Sequence, residues 1–268
     1  MARVPVVLTA AVAAAGIAAA SCAGPALRPT VSPAARHREA LLILPGFGYG
    51  RDDGDGFASI APSAAADGID VYVAKYLTRT GLDSSRNTLR SFIREQHLDR
   101  YEHLHVFAFL AGAWTFNPAV ARDLTPNLTS IVYDRSPYQE RAPQIAVDAL
   151  PLLAWLRYGS TISDVARTPY PSLVAPGPRV ALLIETRPTA FIRHHAAEAA
   201  AAGPFNAGCG AFHQRYDDCA YIPMSHDDVY RQFADLWPDV EAFIRTGRFT
   251  DDAVRTAPSS DALSHVLR

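Results

Sequence analysis

LHVFAFLAGAWTF, from Leu104 to Phe116, carries only two polar side chains, His105 and Thr115. Its first half holds Val106, Phe107 and Phe109, residue types that suit a strand buried on both faces. From Leu110 onward the residues become small, with Ala111, Gly112 and Ala113 in succession. The stretch reads as a buried strand that turns sharply into a tightly packed helix.

The same strand pattern recurs on either side of it. ALLILP from Ala40 is a continuous apolar run ended by a Gly-rich turn, and IDVYVAKY from Ile69, SIVYD from Ser130, RVALLIE from Arg179 and CAYIPM from Cys219 are similar. Between them lie segments of crossover length. Leu82 to Gln96 places Leu82, Leu89, Phe92 and Ile93 on an otherwise polar helix, and Ala111 to Arg122 and Pro188 to Ala202 are alanine-rich. Val229 to Arg245 carries Val229, Phe233, Leu236, Val240, Phe243 and Ile244 at i, i+4, i+7 spacing. Strands alternating with helices predict an α/β fold, a doubly wound, mostly parallel sheet of about six strands with helices on both faces. The proline-punctuated segment 137–178 exceeds what one crossover needs and is expected to form a small cap. The polar tail 250–268 is expected to fray.

At 268 residues, 49% of them hydrophobic, the chain is long enough for one domain with a large core, placed at 39–249. A formal net charge of −2 leaves no basic stripe of the kind nucleic acid demands. A pI near 6.5 argues against a polybasic membrane patch. Membrane contact is expected from another feature. Arg3 precedes an apolar run from Val4 to Ala20, broken only by Thr9, and small residues lead to Cys22, which describes an export signal over 1–22. Its ending, AASC, resembles the bacterial lipobox, in which the cysteine is lipidated and becomes the mature N-terminus, although Ala19 stands where Leu is commoner. That resemblance implies a lipid anchor at Cys22 and a place in the cell envelope. Simple secretion and an uncleaved anchor are the alternatives. Residues 23–38, rich in Pro, Ala and Arg, read as a flexible tether.

Export would place the other two cysteines in an oxidising compartment. Cys209 and Cys219 flank the polar loop GAFHQRYDD and are expected to pair, with two buried thiols as the alternative. The spacing around His213 does not suit zinc, and His194-His195 lacks acidic partners at ligand spacing, so no metal is expected. RDDGDGF, Arg51 to Phe57, has the composition of a calcium loop without its spacing or terminal glutamate. No pattern asks for a cofactor.

LLILPGFGYG, VFAFLAGAW and SHDD, in this order, resemble the α/β-hydrolase fold superfamily in its exported esterase and lipase-like branch, over residues 40 to 249. The resemblance implies a role for each piece. Gly46 and Phe47 stand in the first loop, where a backbone N–H faces the developing oxyanion, so Phe47 is one expected donor. The elbow pentad G-x-S-x-G corresponds to Ala108-Phe109-Leu110-Ala111-Gly112, which keeps small residues at the first, fourth and fifth places. Ala111 is the second expected oxyanion donor. Leu110 occupies the place of the nucleophilic serine, and a hydrocarbon cannot attack a carbonyl. Thr115, the nearest hydroxyl downstream, lies about one helical turn away. His226, after the last strand and before the last helix, takes the place of the general base. It also lies inside a capping-box pattern with Ser225 as N-cap and Asp228 at N3. Its acid partner is expected at Asp134, which ends SIVYD, with Glu185, which ends RVALLIE, as the alternative. Arg135, Gln139 and Glu140 are further candidates for the pocket wall.

Two functions are compatible with this reading. One is a non-hydrolytic, exported and lipid-anchored member of the fold. It would bind a hydrophobic or acyl-type small molecule, or an envelope protein, through a pocket lined by Gly46, Phe47, Phe109, Leu110 and Trp114. The other is an active esterase-, lipase- or lyase-like enzyme in which His226 and Asp134 act on water or on an acidic C–H bond.

Overall fold

The apolar runs become strands because both of their faces are covered. Along β1 (Glu39–Leu44), Ala40, Leu42 and Leu44 join one core cluster, while Leu41 and Ile43 join another. The computed structural model describes residues 37–49, 56–118, 125–173 and 177–267. The export signal 1–22 with Cys22, residues 23–36 of the tether, and Arg51 to Asp55 lie outside the described residues.

Five further strands follow: β2 (Ile69–Val73), β3 (His103–Ala108), β4 (Leu128–Arg135), β5 (Arg179–Glu185) and β6 (Asp218–Ile222). They form one fully parallel sheet in the order β2-β1-β3-β4-β5-β6. This is the doubly wound, parallel α/β architecture expected. The order reverses beside β1, because the chain runs out to β2, crosses back over β1 to β3, and then proceeds in one direction to β6. In open α/β sheets, ligands bind in the crevice beyond the strand C-termini at such a reversal. Here it brings together the loop after β1 and the helix after β3.

The helices divide between the two faces. They are α1 (Ala61–Ala66), α2 (Leu82–Glu95), α3 (Leu110–Phe116), α4 (Ala142–Ala149), α5 (Pro151–Tyr158), α6 (Ser160–Arg167), α7 (Ala190–His194), α8 (Ala196–Ala201), α9 (His226–Arg231), α10 (Phe233–Thr246) and α11 (Ser260–His265). Leu82, Leu89 and Ile93 of α2 and Trp114 and Phe116 of α3 pack on one face, and Ala64, Val229, Phe233, Leu236 and Val240 of α1, α9 and α10 pack on the other.

Several boundaries differ from expectation. The predicted helix from Val229 starts earlier, at His226, and breaks at Gln232. The helix predicted over Pro188 to Ala202 breaks at His195 into α7 and α8. That predicted over Ala111 to Arg122 runs from Leu110 to Phe116, and residues 119–124 lie outside the described residues. The tail is not frayed. Ser259 caps α11, Leu263 is buried, and the Tyr138 hydroxyl donates to the Leu263 carbonyl at 2.7 Å. Segment 137–178 contains a cap of three short helices, α4 to α6. Two of its prolines open helices, since Pro143 and Pro151 sit in the first turns of α4 and α5. The α5–α6 turn requires glycine. Gly159 has φ of +67°, and a Cβ there would lie 1.9 Å from the Arg79 carbonyl oxygen.

Cys209 and Cys219 are joined by a disulfide. Among the described residues no helix is long and apolar enough to cross a membrane.

Candidate active site and ligand cavity

At the reversal, β3 ends at Ala108, Phe109 is extended (φ −66°, ψ 169°), and α3 begins at Leu110. The turn is as sharp as expected, but it is relaxed. Among the described residues the only non-glycine side chains at positive φ are His97 and His213, so Leu110 does not occupy a strained elbow. Gly112 lets α3 lie against the end of β1, since a Cβ there would stand 2.9 Å from Leu44 Cβ and 3.1 Å from its carbonyl oxygen. Leu110, 7% exposed, faces the cavity.

His226 opens α9 under a complete capping box, with the Ser225 side chain accepting from the Asp228 N–H and Asp228 accepting from the Ser225 N–H. This cap fixes the start of the helix and turns the imidazole inward. Both candidate acids reach it. Nδ1 hydrogen-bonds Glu185 Oε1 at 2.8 Å, and Asp134 Oδ2 lies 3.3 Å from the same nitrogen. Both candidate acids thus meet the same ring nitrogen, and Glu185, at the end of β5, makes the shorter contact. All three side chains are buried. Burial pushes the Glu185 carboxyl well above its usual range, and the adjacent Asp134 charge pushes it further. A proton on Glu185 Oε2 would also give Asp134 a donor; both Asp134 oxygens and Glu185 Oε2 otherwise lack hydrogen-bond partners. For His226, burial alone would lower the pKa, but the Glu185 and Asp134 carboxyls outweigh it and raise the imidazole to about 10. The two carboxyls thus favour the protonated imidazole.

The remaining ring nitrogen is also occupied. The Tyr230 hydroxyl lies 3.1 Å from His226 Nε2, and a Cβ at Gly46 would stand 2.6 Å from that hydroxyl and 3.0 Å from Nε2. Tyr230 was not foreseen from the sequence, although its position four residues after His226 puts both on one face of α9. Burial holds its phenol well above the ordinary range, with the Gly46 backbone opposing. It is thus a neutral hydroxyl, hydrogen-bonded to His226 Nε2, at the wall of the cavity.

The cavity, about 800 Å³, opens between the sheet and the cap. Gly46, Phe47, Leu110, Ala111 and Trp114 line it, and Gln139 and Glu140 contribute polar wall. Phe109 does not line it. Strand alternation turns Phe109 to the opposite face, where it packs with Phe57, Phe107 and Tyr230 and meets the His226 ring edge to face at 5.0 Å. Arg135 is also out of the wall. It is buried, binds Glu140 Oε1 at 2.6 Å and stacks on Tyr170 at 3.6 Å. Thr115 is spent on the helix, donating to the Ala111 carbonyl at 3.0 Å.

Asp134, Glu185 and His226 are the group among the described residues whose ligand-type atoms lie close enough together to hold a metal ion. Their spacings are hydrogen-bond lengths, and Nδ1, the nitrogen an ion would need, is bound to Glu185. Chemically, the cluster presents one neutral donor, Tyr230, backed by a cation, at the floor of a largely apolar chamber.

No family model and no curated protein matches the chain. Among solved structures it is similar to Est1E from Butyrivibrio proteoclasticus, at 12% identity over 79% of this chain and 88% of that one, with a TM-score of 0.49. It is also similar to the lipase BlEst2 of Bacillus licheniformis in mature form, at 10% identity over 76% and 92% of the two chains, TM-score 0.49. A thermophilic esterase from Thermogutta terrifontis matches at 11% identity over 78% and 90%, TM-score 0.44.

Proposed function

We propose that this chain is an α/β-hydrolase-fold protein that binds a hydrophobic, acyl-type small molecule beneath its cap and does not hydrolyse it through serine. The supporting observation is the surroundings of Leu110. The elbow position is a hydrocarbon, and the histidine that lines the same cavity has both ring nitrogens engaged, by Glu185 and by Tyr230. The apolar cavity walls suit an acyl chain, and the Tyr230 hydroxyl suits a carbonyl oxygen at its head. The export signal and the lipobox-like AASC support a place in the cell envelope, anchored through lipid on Cys22, where an envelope protein is the other partner the reading allows.

One observation favours a second reading. Glu185, His226 and Tyr230 form a connected chain of hydrogen bonds that ends in the cavity, an arrangement able to deliver a proton to a bound ligand in hydrolase- or lyase-like chemistry. The separating experiment combines ester hydrolysis across short and long acyl chains with titration of a fluorescent long-chain acyl probe. Saturable probe binding without turnover is expected. Turnover abolished by His226→Ala would overturn the first reading in favour of the second.

A further inference from the structure

Four large hydrophobic side chains left exposed among the described residues stand on one helix. Leu152, Leu153, Trp155 and Leu156 of α5 are 66, 59, 56 and 51% exposed, and Ala154 is the buried side chain of that helix. A patch of this kind on a surface helix marks an interaction site, whereas single exposed side chains elsewhere do not. The helix carries no acidic residue. Beside it, Lys75, Arg79 and Arg157 line one cleft of about 190 Å³, and among the described residues no carboxylate lines it. Arg79 is tied to the end of the helix, donating to the Trp155 and Leu156 carbonyls at 3.3 and 2.5 Å, which joins the basic cleft to the apolar patch.

We propose that α5 docks onto an anionic phospholipid surface. Leu152, Leu153, Trp155 and Leu156 enter the boundary of headgroups and acyl chains, and Lys75, Arg79 and Arg157 face the lipid phosphates. Apolar side chains with a tryptophan among them, flanked by cations, characterise helices that lie in the plane of a bilayer interface. The patch is continuous with the ligand cavity, because Leu153, Leu156 and Arg157 also line it. Docking therefore sets the cavity mouth against the membrane. This inference is independent of whether the cavity binds or transforms its ligand.

The experiment uses the full chain and reads Trp155 itself, since Trp114 and Trp237 are buried. Vesicles of phosphatidylcholine with phosphatidylglycerol, brominated on their acyl chains, should quench tryptophan fluorescence. Trp155→Phe should abolish that quenching, even if the N-terminal segment still holds the chain on the vesicle. Lys75→Gln and Arg157→Gln should each raise the lipid concentration at half-saturation about fivefold. Leu152→Glu with Leu156→Glu, both at exposed positions, should remove the quenching without loss of folded protein. Quenching that survives Trp155→Phe overturns the proposal. So does shielding of Trp155 from acrylamide before lipid is added: shielding that grows with protein concentration assigns the patch to a second copy, and concentration-independent shielding assigns it to the run Val4 to Ala20.

Discussion

The hydroxyl of Tyr230 lies 3.1 Å from Nε2 of His226, the nitrogen that would have to accept a proton from a nucleophile on α3. A group four residues along the same helix thus occupies that nitrogen. Tyr230→Phe removes that hydroxyl and little volume. Binding of an acyl probe with a carbonyl head is expected to weaken about five- to tenfold, the worth of one hydrogen bond, while a pure hydrocarbon probe binds unchanged. Fluorescence titration of both probes checks this; equal weakening would mean that Tyr230 acts through packing alone.

Leu110→Ser is not expected to restore hydrolysis by itself. The new hydroxyl would sit on a relaxed helix start, in a cavity whose histidine is already bound to Tyr230 and has its pKa raised by two carboxyls. The double variant Leu110→Ser with Tyr230→Phe frees Nε2 and should exceed the single variant in ester turnover at alkaline pH, near the imidazole pKa of about 10. Loss of the buried leucine should also cost roughly 2 kcal/mol of stability, so folded fraction is measured alongside turnover. A single variant as active as the double would show that Tyr230 does not block the histidine.

The strands were legible because each is a continuous apolar run, and His226, Asp134 and Glu185 were legible because each ends or follows such a run. Composition said less where geometry decides. Phe109 looked like pocket lining by its neighbours in sequence, but pleating sends alternate residues to opposite faces, and the cavity lies on the side of Leu110. The break at Gln232 has no glycine or proline to announce it. The tail looked free because it is polar, yet one side chain, Leu263, is enough to seat α11. Tyr230 belonged to the same helical face as His226 and could have been found by that spacing alone. The ranking of Glu185 over Asp134 could not, since it depends on how far two adjacent strand ends project.

The disulfide closes a loop whose cysteines are ten positions apart, joining β6 to the segment before it. Restricting the unfolded chain in this way is worth about 2–3 kcal/mol. Reduction, or Cys209→Ser with Cys219→Ser, should lower the melting temperature by about 5–10 °C in a domain of this size. Scanning calorimetry with and without reductant measures it. An unchanged melting temperature would place the bridge in a region that opens before the rest unfolds.

Stability should fall as pH rises from neutrality. His226 has a folded-state pKa of about 10 against an ordinary value of 6.5, so the folded chain keeps a proton that the unfolded chain releases between those values. Its contribution is complete below pH 6.5 and is lost progressively as pH approaches 10, with a slope of at most about 1.4 kcal/mol per pH unit. Glu185 acts in the same direction, since its folded carboxyl is also raised, by burial and by Asp134. His105 does not interfere: burial lowers it to about 4, so it destabilises only on the acid side of 6.5. The test compares urea midpoints between about pH 7 and pH 9, beneath the ordinary tyrosine range, because buried Tyr76, Tyr133 and Tyr230 are raised and would add their own decline above it. The parent midpoint should drop across this window, and His226→Gln should flatten the drop while lowering the starting value. A parent profile already flat would mean that the imidazole is neutral in the folded chain, free to act as a base, and the case for a binding protein would lose its electrostatic half.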